Sequence, residues 1–149
     1  MTKFKFLNSI GDPIVSALMR SPFHGFLSEN VILITYVGRK SGKEISVPVN
    51  YQQEGRLLRI ISQRDRVWWR NMRDGATVKV LIKGQKKDGW AELIEEDSKV
   101  AEEIKKCLKQ DPQYAKYLNV RLGESGEING KELTKMAKSR VVVLIKLSK

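Results

Sequence analysis

Short glycine-containing turns between apolar segments are the feature that most constrains how this chain can fold. Glu54-Gly55 separates two apolar segments, and Gly84-Gln85 separates two others. A connection of about two residues can join only antiparallel neighbours, because a parallel crossover needs about a dozen residues or more. The pattern therefore predicts a sheet assembled from antiparallel hairpins.

Six segments have the β-branched content, or the alternation of apolar and polar residues, that is typical of strands. They are 31–36, 45–53, 56–62, 76–83, 86–94 and 140–147. The first contains no charged residue and is predicted to be buried on both faces. Helices are predicted at about 9–20, 67–72, 97–109, 112–119 and 131–138. This order predicts a mainly β chain of the α+β class, a six-stranded antiparallel barrel with helices packed outside it.

Length and residue content limit the organisation and the function classes. The chain has 149 residues without an internal repeat or a linker, so residues 1–149 are predicted to form one domain that begins with the amphipathic helix at about 9–20. No apolar run approaches the ~20 residues of a membrane helix and no export signal is recognisable, which predicts a cytoplasmic protein. A single cysteine, Cys107, and a single histidine, His24, argue against a disulfide, a metal site and a Ser-His-Asp hydrolase. Cys107 lies on the apolar face of its helix and is predicted to be a core residue.

Positive charge is concentrated in the middle of the chain. The net charge is +11, and residues 31–90 contain thirteen basic and five acidic side chains, a net charge of +8. Such a surface attracts phosphates, carboxylates, nucleic acid or anionic lipid. The alternative is that these lysines and arginines only keep the strands soluble.

The segment Gly38-Arg39-Lys40-Ser41-Gly42-Lys43 combines two glycines, a hydroxyl and three cations. Glycines allow backbone N–H groups to turn toward a ligand, and the cations suit a phosphate or a carboxylate. The spacing is one residue short of a Walker A loop, and Glu44 stands where that loop needs Ser or Thr. A solvated hairpin loop remains the alternative.

Two pairs of aromatic residues are further candidates for a site. Trp68 and Trp69 cannot both face the core of an α-helix, so one of them is expected at a surface or a cleft wall, beside several arginines. The alternative is that one is in the core while the other shields a loop. Tyr114 and Tyr117 are three residues apart on a predicted helix and share a face, where they would line a pocket or simply pack on the barrel.

The order of these motifs is similar to that of a known family. The strand before Gly38, the segment Val47-Pro48-Val49-Asn50-Tyr51 and the segment Trp68-Trp69-Arg70-Asn71-Met72 together resemble the deazaflavin (F-420)-dependent nitroreductase/quinone reductase family. The resemblance extends over about 31–117, and the last strand also fits. It implies a split β-barrel related to the FMN-binding barrels, with the deazaflavin coenzyme F-420 as cofactor.

The resemblance also implies roles for individual residues. Those assigned to the cofactor are Arg39, Lys40, Ser41, Gly42, Lys43, Val47, Pro48, Val49, Asn50, Ser62 and Trp68. Segment 39–43 would hold the phosphate and the acidic tail, segment 47–50 the ring, and Ser62 would lie near the tail. Tyr114 and Tyr117 would line the side of the electron acceptor. The chain departs from the family at 63–67, which is shorter than usual, at Gln63 where a lysine is usual, and at Asp111 where a third tyrosine is usual.

The resemblance implies an oxidoreductase that transfers a hydride from the reduced deazaflavin to a quinone-like or nitroaromatic acceptor, and no catalytic acid is identified. The resemblance further implies a homodimer. One alternative is an FMN-binding split-barrel flavoprotein. Another is a basic nucleic-acid-binding module built on Trp68 and Trp69, although the chain has no basic helix or known motif of that class. A weaker possibility is that the N-terminal helix, with Lys3, Lys5 and Arg20, rests on a membrane to reach lipid quinones.

Overall fold

Seven strands form one antiparallel sheet in the computed structural model, which describes residues 31–148. In chain order they are β1 (Val31–Val37), β2 (Glu44–Asn50), β3 (Gln52–Glu54), β4 (Leu57–Gln63), β5 (Ala76–Ile82), β6 (Gln85–Ile94) and β7 (Arg140–Leu147). Their spatial order is β2-β1-β5-β6-β7-β4-β3, and every neighbouring pair is antiparallel. The pairing predicted from the glycine turns is confirmed. The predicted helix at about 9–20 and the residues Lys3, Lys5, Arg20 and His24 lie outside the described residues.

The structure corrects the number of strands from six to seven. The segment predicted as one strand, 45–53, is divided at the buried residue Tyr51. Before this residue β2 pairs with β1, and after it β3 pairs with β4. A straight strand could not pair with both partners, which lie near opposite edges of the sheet. The alternation of apolar residues does not report such a bend, so the sequence pattern missed it.

The two edge strands of the sheet, β2 and β3, are consecutive in the chain and only Tyr51 separates them. The sheet must therefore curl until its two edges approach each other, and the twist of the strands permits this. The result is a barrel that is split at the edges. β1 is buried on both faces, as its composition predicted.

The alternation of side chains along the strands separates two hydrophobic cores. On β4, Ile60 lies inside the barrel and the next residue, Ile61, lies in the layer between the sheet and the helices. On β7, Val141 and Val143 lie inside and Val142 lies in the outer layer. The sheet is thus buried on both faces wherever the helices cover it.

Three α-helices cover the outer face of the sheet: α1 (Asp97–Gln110), α2 (Tyr114–Leu118) and α3 (Gly130–Ser139). A 3-10 helix, Trp68–Met72, connects β4 to β5. Cys107 on α1 is fully buried, which confirms its prediction as a core residue, and burial raises the pKa of its thiol to about 12. None of the helices within residues 31–148 combines the length and the apolar content needed to span a membrane.

Candidate functional site

The loop between β1 and β2 folds back on itself. The N–H of Gly38 donates to the carbonyl of Lys43, and the N–H of Gly42 donates to the carbonyl of Gly38, both at 2.8 Å. Gly42 has a φ of 70°, which favours glycine. The hydroxyl oxygen of Ser41 accepts the N–H of Lys43 at 3.2 Å. The N–H groups of both glycines and of Lys43 are therefore used inside the loop and are not available to a ligand.

Three exposed cations, Arg39, Lys40 and Lys43, project from this loop. Within residues 31–148, no carboxylate lies within 4.0 Å of any of them. The backbone N–H of Arg39 donates to Asn71 Oδ1 at 2.9 Å and so ties the loop to the 3-10 helix. Cations that have no internal partner remain available to an anionic ligand.

β2 is partly exposed along its length. Within residues 31–148 it is an edge strand with a hydrogen-bonded neighbour on one side only, and of its seven residues two are exposed, four are half-buried and Val49 is buried. Ile45 is 36% exposed, and Pro48 is exposed as well. At about 3.3 Å per residue, the strand forms an open path of roughly 20 Å that leads from the cationic loop to Asn50.

A cleft of about 280 Å³, here called the smaller cleft, lies at the end of β2 that is remote from the loop. Five of the residues that the resemblance assigned to the cofactor or the acceptor border it: Pro48, Val49, Asn50, Ser62 and Tyr117. They come from β2, β4 and α2, so only the folded chain brings them together. The loop residues 39–43 do not border this cleft and lie at the other end of β2.

A second cleft of about 510 Å³, here called the larger cleft, adjoins the first and shares Asn50 and Tyr117 with it. Tyr114 and Tyr117 both border it, and their rings meet edge to face with centroids 5.1 Å apart. The other polar lining consists of amides and one charge of each sign, from Asn50, Gln52, Gln53, Gln110, Gln113, Lys83 and Asp111. Amide and phenol groups can donate hydrogen bonds to carbonyl or nitro oxygens.

Both tryptophans of the 3-10 helix are buried, Trp68 at 5% exposure and Trp69 at 3%. This corrects the expectation that one of them would lie at a surface or a cleft wall. That expectation assumed that only one face of the helix is covered, whereas both indoles belong to the core inside the barrel. Successive side chains of a 3-10 helix are about 120° apart, so this short helix is buried on more than one side. The guanidinium groups of Arg70 and Arg73, at 5.6 Å and 5.4 Å from the ring centroid of Trp69, cover that indole from outside.

Trp68 holds Ser62, a residue that borders the smaller cleft, through a hydrogen bond. Its indole Nε1 donates to the hydroxyl oxygen of Ser62 at 3.2 Å. Because this oxygen accepts the indole N–H, the hydroxyl proton of Ser62 is directed elsewhere, and the carbonyl of Gln63 lies 3.2 Å away. Trp68 is therefore a positioning residue for Ser62 and does not itself border the cleft.

The hydroxyl of Tyr114 is buried and has no hydrogen-bond partner within the described part of the chain. Burial raises the pKa of Tyr114, the neighbouring Cys107 and Tyr117 add to this, and the charge of Arg140 opposes it. The hydroxyl therefore keeps its proton at neutral pH. It is a protonated donor without a partner in the described residues, and its oxygen is buried behind the surface of the larger cleft.

A buried polar network fixes the wall of the larger cleft. Arg59 Nε donates to Glu103 Oε1 at 2.9 Å, and Arg59 Nη1 donates to Gln52 Oε1 at 2.7 Å. Gln52 Nε2 in turn donates to the carbonyl of Cys107 at 2.9 Å. These bonds join β3 and β4 to α1, so the side chain of Gln52 is held in one orientation in the cleft wall.

Sequence reasoning missed several residues that border the clefts. Arg66 was noticed only as one of the arginines near the tryptophans, and Arg140 only as the start of the last strand. Both border the smaller cleft. The glutamines of the larger cleft carry no motif, although their occurrence in the two pairs Gln52-Gln53 and Gln110-Gln113 is a weak signal that could have drawn attention to them.

Comparison with known sequences identifies one matching family. The model of a family described as F420H(2)-dependent quinone reductase matches residues 19–121. This range contains the loop, β2, Ser62, the 3-10 helix and both tyrosines of α2. The comparison with curated proteins gives no match.

Solved structures share the curled antiparallel sheet. A putative pyridoxamine 5'-phosphate oxidase from Listeria innocua is 18% identical with a TM-score of 0.51, and the alignment covers 95% of this chain and 95% of that chain. A structure described as a domain-swapped dimer is 18% identical with a TM-score of 0.53, covering 94% of this chain and 98% of that chain. A structure described as an F420-H2 dependent reductase is 20% identical with a TM-score of 0.49, covering 78% and 94%. The first two support the split-barrel fold.

Proposed function

Because the chain belongs to the F420H(2)-dependent quinone reductase family, we propose that it transfers a hydride from the reduced deazaflavin coenzyme F-420 to a quinone-like or nitroaromatic acceptor. The family is dependent on this coenzyme, and the chain is accordingly a deazaflavin-dependent oxidoreductase. The acceptor and the roles of single residues are the part that we propose.

The observation that supports this proposal best is the open path along β2. It joins three cations that have no carboxylate partner among residues 31–148 to a cleft at the other end, over roughly 20 Å. A ligand with a flat ring and a long anionic tail fits such a surface. Arg39, Lys40 and Lys43 would hold the phosphate and the carboxylates, and Pro48 and Asn50 would border the ring. When bound, the reduced coenzyme supplies the hydride.

The residues of the larger cleft would bind and orient the acceptor. Tyr117 borders both clefts and is 47% exposed, so it can contact a ligand that enters from solvent. Tyr114 also borders this cleft and would contact the acceptor through the part of its ring that is not buried, because its hydroxyl oxygen is itself buried. Gln52, fixed by Arg59, presents a wall whose hydrogen-bonding groups do not need to reorganise.

Titration of the purified protein with coenzyme F-420 and with FMN, monitored by fluorescence, tests the cofactor assignment. The unmodified protein is expected to bind F-420. The double variant Arg39→Ala/Lys43→Ala should bind it about tenfold more weakly or worse, because charge-assisted hydrogen bonds are lost. Lys131→Ala/Lys138→Ala, which removes two exposed cations of α3, is the matched control and should bind F-420 normally.

Two results would contradict the proposal. Tighter binding of FMN than of F-420 would favour an FMN flavoprotein with the same fold. Binding of neither compound by the unmodified protein would exclude both flavin-type functions.

Oxidation of reduced F-420, observed by absorbance in the presence of a quinone or a nitroaromatic compound, tests the acceptor. Tyr117→Ala is expected to raise KM for the acceptor and to leave the Kd of the coenzyme nearly unchanged, because we assign Tyr117 to the acceptor side. Weaker binding of the coenzyme with an unchanged KM would reassign Tyr117 to the coenzyme.

The protein is also proposed to be a homodimer. The support comes from the family resemblance and from a neighbour of the same fold that is described as a domain-swapped dimer. Sedimentation velocity of the full chain at micromolar concentration tests this, and a single monomeric species would contradict it.

A further inference from the structure

Two arginines that border the smaller cleft have no acidic partner among residues 31–148. Arg66 is exposed on the segment between β4 and the 3-10 helix, and Arg140 is half-buried at the start of β7. Both border the cleft of about 280 Å³. No carboxylate of the described residues lies within 4.0 Å of either guanidinium. The cleft is therefore bordered by two positive charges that the described part of the chain does not neutralise.

The strand register places Arg140 next to the polar end of β4. Gln63 and Arg140 are directly opposed in the β4–β7 pair, so their side chains project on the same face of the sheet. Both residues border the smaller cleft and also a neighbouring cleft of about 400 Å³. A cation at either of these two positions would act on the same part of the cleft.

Ser62 borders the same cleft, but both of its hydrogen-bonding roles are used within the chain. Its oxygen accepts the indole N–H of Trp68 at 3.2 Å, and its hydroxyl donates to the carbonyl of Gln63 at 3.2 Å. The capacity of this surface to bind an oxyanion therefore depends on the two arginines. The charge of Arg140 also acts on the buried hydroxyl of Tyr114, whose pKa burial raises and Arg140 lowers. This agrees with a guanidinium that lies toward α2 and the clefts.

We propose that Arg66 and Arg140 form an oxyanion subsite in the smaller cleft that binds a phosphate or carboxylate group of the ligand occupying it. Guanidinium groups suit such oxyanions because they donate two parallel, charge-assisted hydrogen bonds. The subsite is separate from the loop cations, which lie at the opposite end of β2. The proposal that an oxyanion binds here depends only on the residues that border the smaller cleft. Only the attribution of that oxyanion to the coenzyme or to an acceptor rests on the proposed function.

Calorimetric titrations of four proteins test the subsite: the unmodified chain, Arg66→Gln, Arg140→Gln and the control Arg121→Gln. Arg121 is exposed outside both clefts, so the control removes the same charge without touching the cleft. Each protein is titrated with coenzyme F-420 and, in the absence of coenzyme, with para-nitrobenzoate and its neutral analogue para-nitrobenzamide. The two aromatic compounds have nearly the same shape and differ in charge.

Loss of either cleft arginine is expected to raise the Kd of at least one oxyanion-bearing ligand by about tenfold or more, because a hydrogen bond to a charged group is removed. Binding of para-nitrobenzamide should not change, and Arg121→Gln should behave like the unmodified chain. A raised Kd for F-420 assigns the oxyanion to the coenzyme. A raised Kd for para-nitrobenzoate assigns it to the acceptor.

A rescue experiment separates a binding role from a structural role of Arg140. In the double variant Gln63→Lys/Arg140→Gln, the cation is restored at the opposed register position, so the lost affinity should return in large part. A residue with a purely structural role would not be rescued in this way. If Arg140→Gln does not fold, Arg66→Gln still tests the subsite, because Arg66 is exposed on a connecting segment.

The subsite and the proposed function can fail separately. Unchanged Kd values for F-420 and para-nitrobenzoate in both arginine variants would overturn the subsite while F-420 binding upheld the proposed function. If the unmodified chain binds no F-420 but binds para-nitrobenzoate through the arginines, the proposed function fails and the subsite stands. If it binds neither, both are overturned.

Discussion

At the scale of single residues, the side chains around the clefts differ in what they can do because their partners differ. Ser62 has its oxygen occupied by Trp68, whereas the Tyr114 hydroxyl has no partner within the described chain. Arg59 is neutralised by Glu103, whereas Arg66 and Arg140 are not paired with any carboxylate of residues 31–148. Paired groups hold the cleft walls in place, and unpaired groups remain available to ligands.

Replacement of Trp68 by Phe should destabilise the protein more than replacement of Trp69 by Phe, by about 1 kcal/mol. Both substitutions leave a similar cavity, but only Trp68 loses a hydrogen bond, to Ser62 at 3.2 Å. The Nε1 of Trp69 is buried and without a partner in the described residues, so its removal costs no hydrogen bond. Urea unfolding of both variants measures the difference. Equal losses would show that the Trp68–Ser62 bond contributes nothing.

Glu103 should make stability depend on pH in the acid range. Burial acts to raise the pKa of Glu103, but hydrogen bonds from Arg59 and Lys106, together with their charges, bring it below the ordinary value of 4.5. A carboxyl whose pKa is lower in the folded state stabilises the fold fully above its unfolded-state pKa. This stabilisation is lost as the pH falls through the lowered folded-state value.

The free energy of unfolding, measured in urea between pH 3 and pH 7, should therefore fall less steeply toward acid in Glu103→Gln than in the unmodified protein. Glu102→Gln, which changes the exposed neighbouring carboxyl, is the matched control and should keep the slope of the unmodified protein. Parallel slopes for all three proteins would contradict the role given to Glu103.

At the scale of secondary-structure elements, the site depends on which strands and helices end beside the clefts. Asn50 is the last residue of β2 and Arg140 is the first residue of β7, and both border the smaller cleft. α3 ends at Ser139, immediately before Arg140, so the packing of α3 determines where β7 begins. Arg64 reinforces this junction because its guanidinium donates to the carbonyls of Ala137 and Arg140, at 3.3 Å and 2.9 Å.

Replacement of Asn129 by Ala should destabilise the protein by about 1 kcal/mol, because α3 loses its N-cap. The side chain of Asn129 accepts the N–H groups of Lys131 and Glu132, at 2.8 Å and 3.4 Å. Asn129→Asp retains an acceptor at the same place and adds a charge that the helix dipole favours, so it should recover most of the stability. Thermal unfolding of both variants measures this. A similar loss in Asn129→Asp would indicate that the cap does not stabilise α3.

At the scale of the whole molecule, the curled sheet and the uneven charge act together. The edge strand β2 lies between a cationic loop and a cleft, and residues 31–90, which include the loop and this strand, carry a net charge of +8. A positive field over an open groove concentrates anionic ligands near it.

The affinity for coenzyme F-420 should decrease as salt is added, because the Debye length shortens from about 30 Å at 0.01 M to about 8 Å at 0.15 M ionic strength. Fluorescence titrations at these two concentrations of sodium chloride should show a Kd that rises several-fold. Binding of the neutral para-nitrobenzamide should not respond to salt. A salt-independent Kd for the coenzyme would indicate that the basic surface does not contribute to its binding.

The sequence by itself determined most elements of the barrel. Glycine turns and the alternation of apolar residues report local conformation, so antiparallel pairing, the outer helices and the buried Cys107 were predictable. The order of motifs also singled out Pro48, Asn50, Ser62 and Tyr117, which the fold brings to one cleft, and their roles there stay predictions. Only the tertiary structure decided the bend at Tyr51, the burial of both Trp68 and Trp69, and the presence of Arg66 and Arg140 at the same cleft. These features arise from contacts between residues far apart in the chain, and the local periodicity of a sequence contains no information about which distant strands will be neighbours.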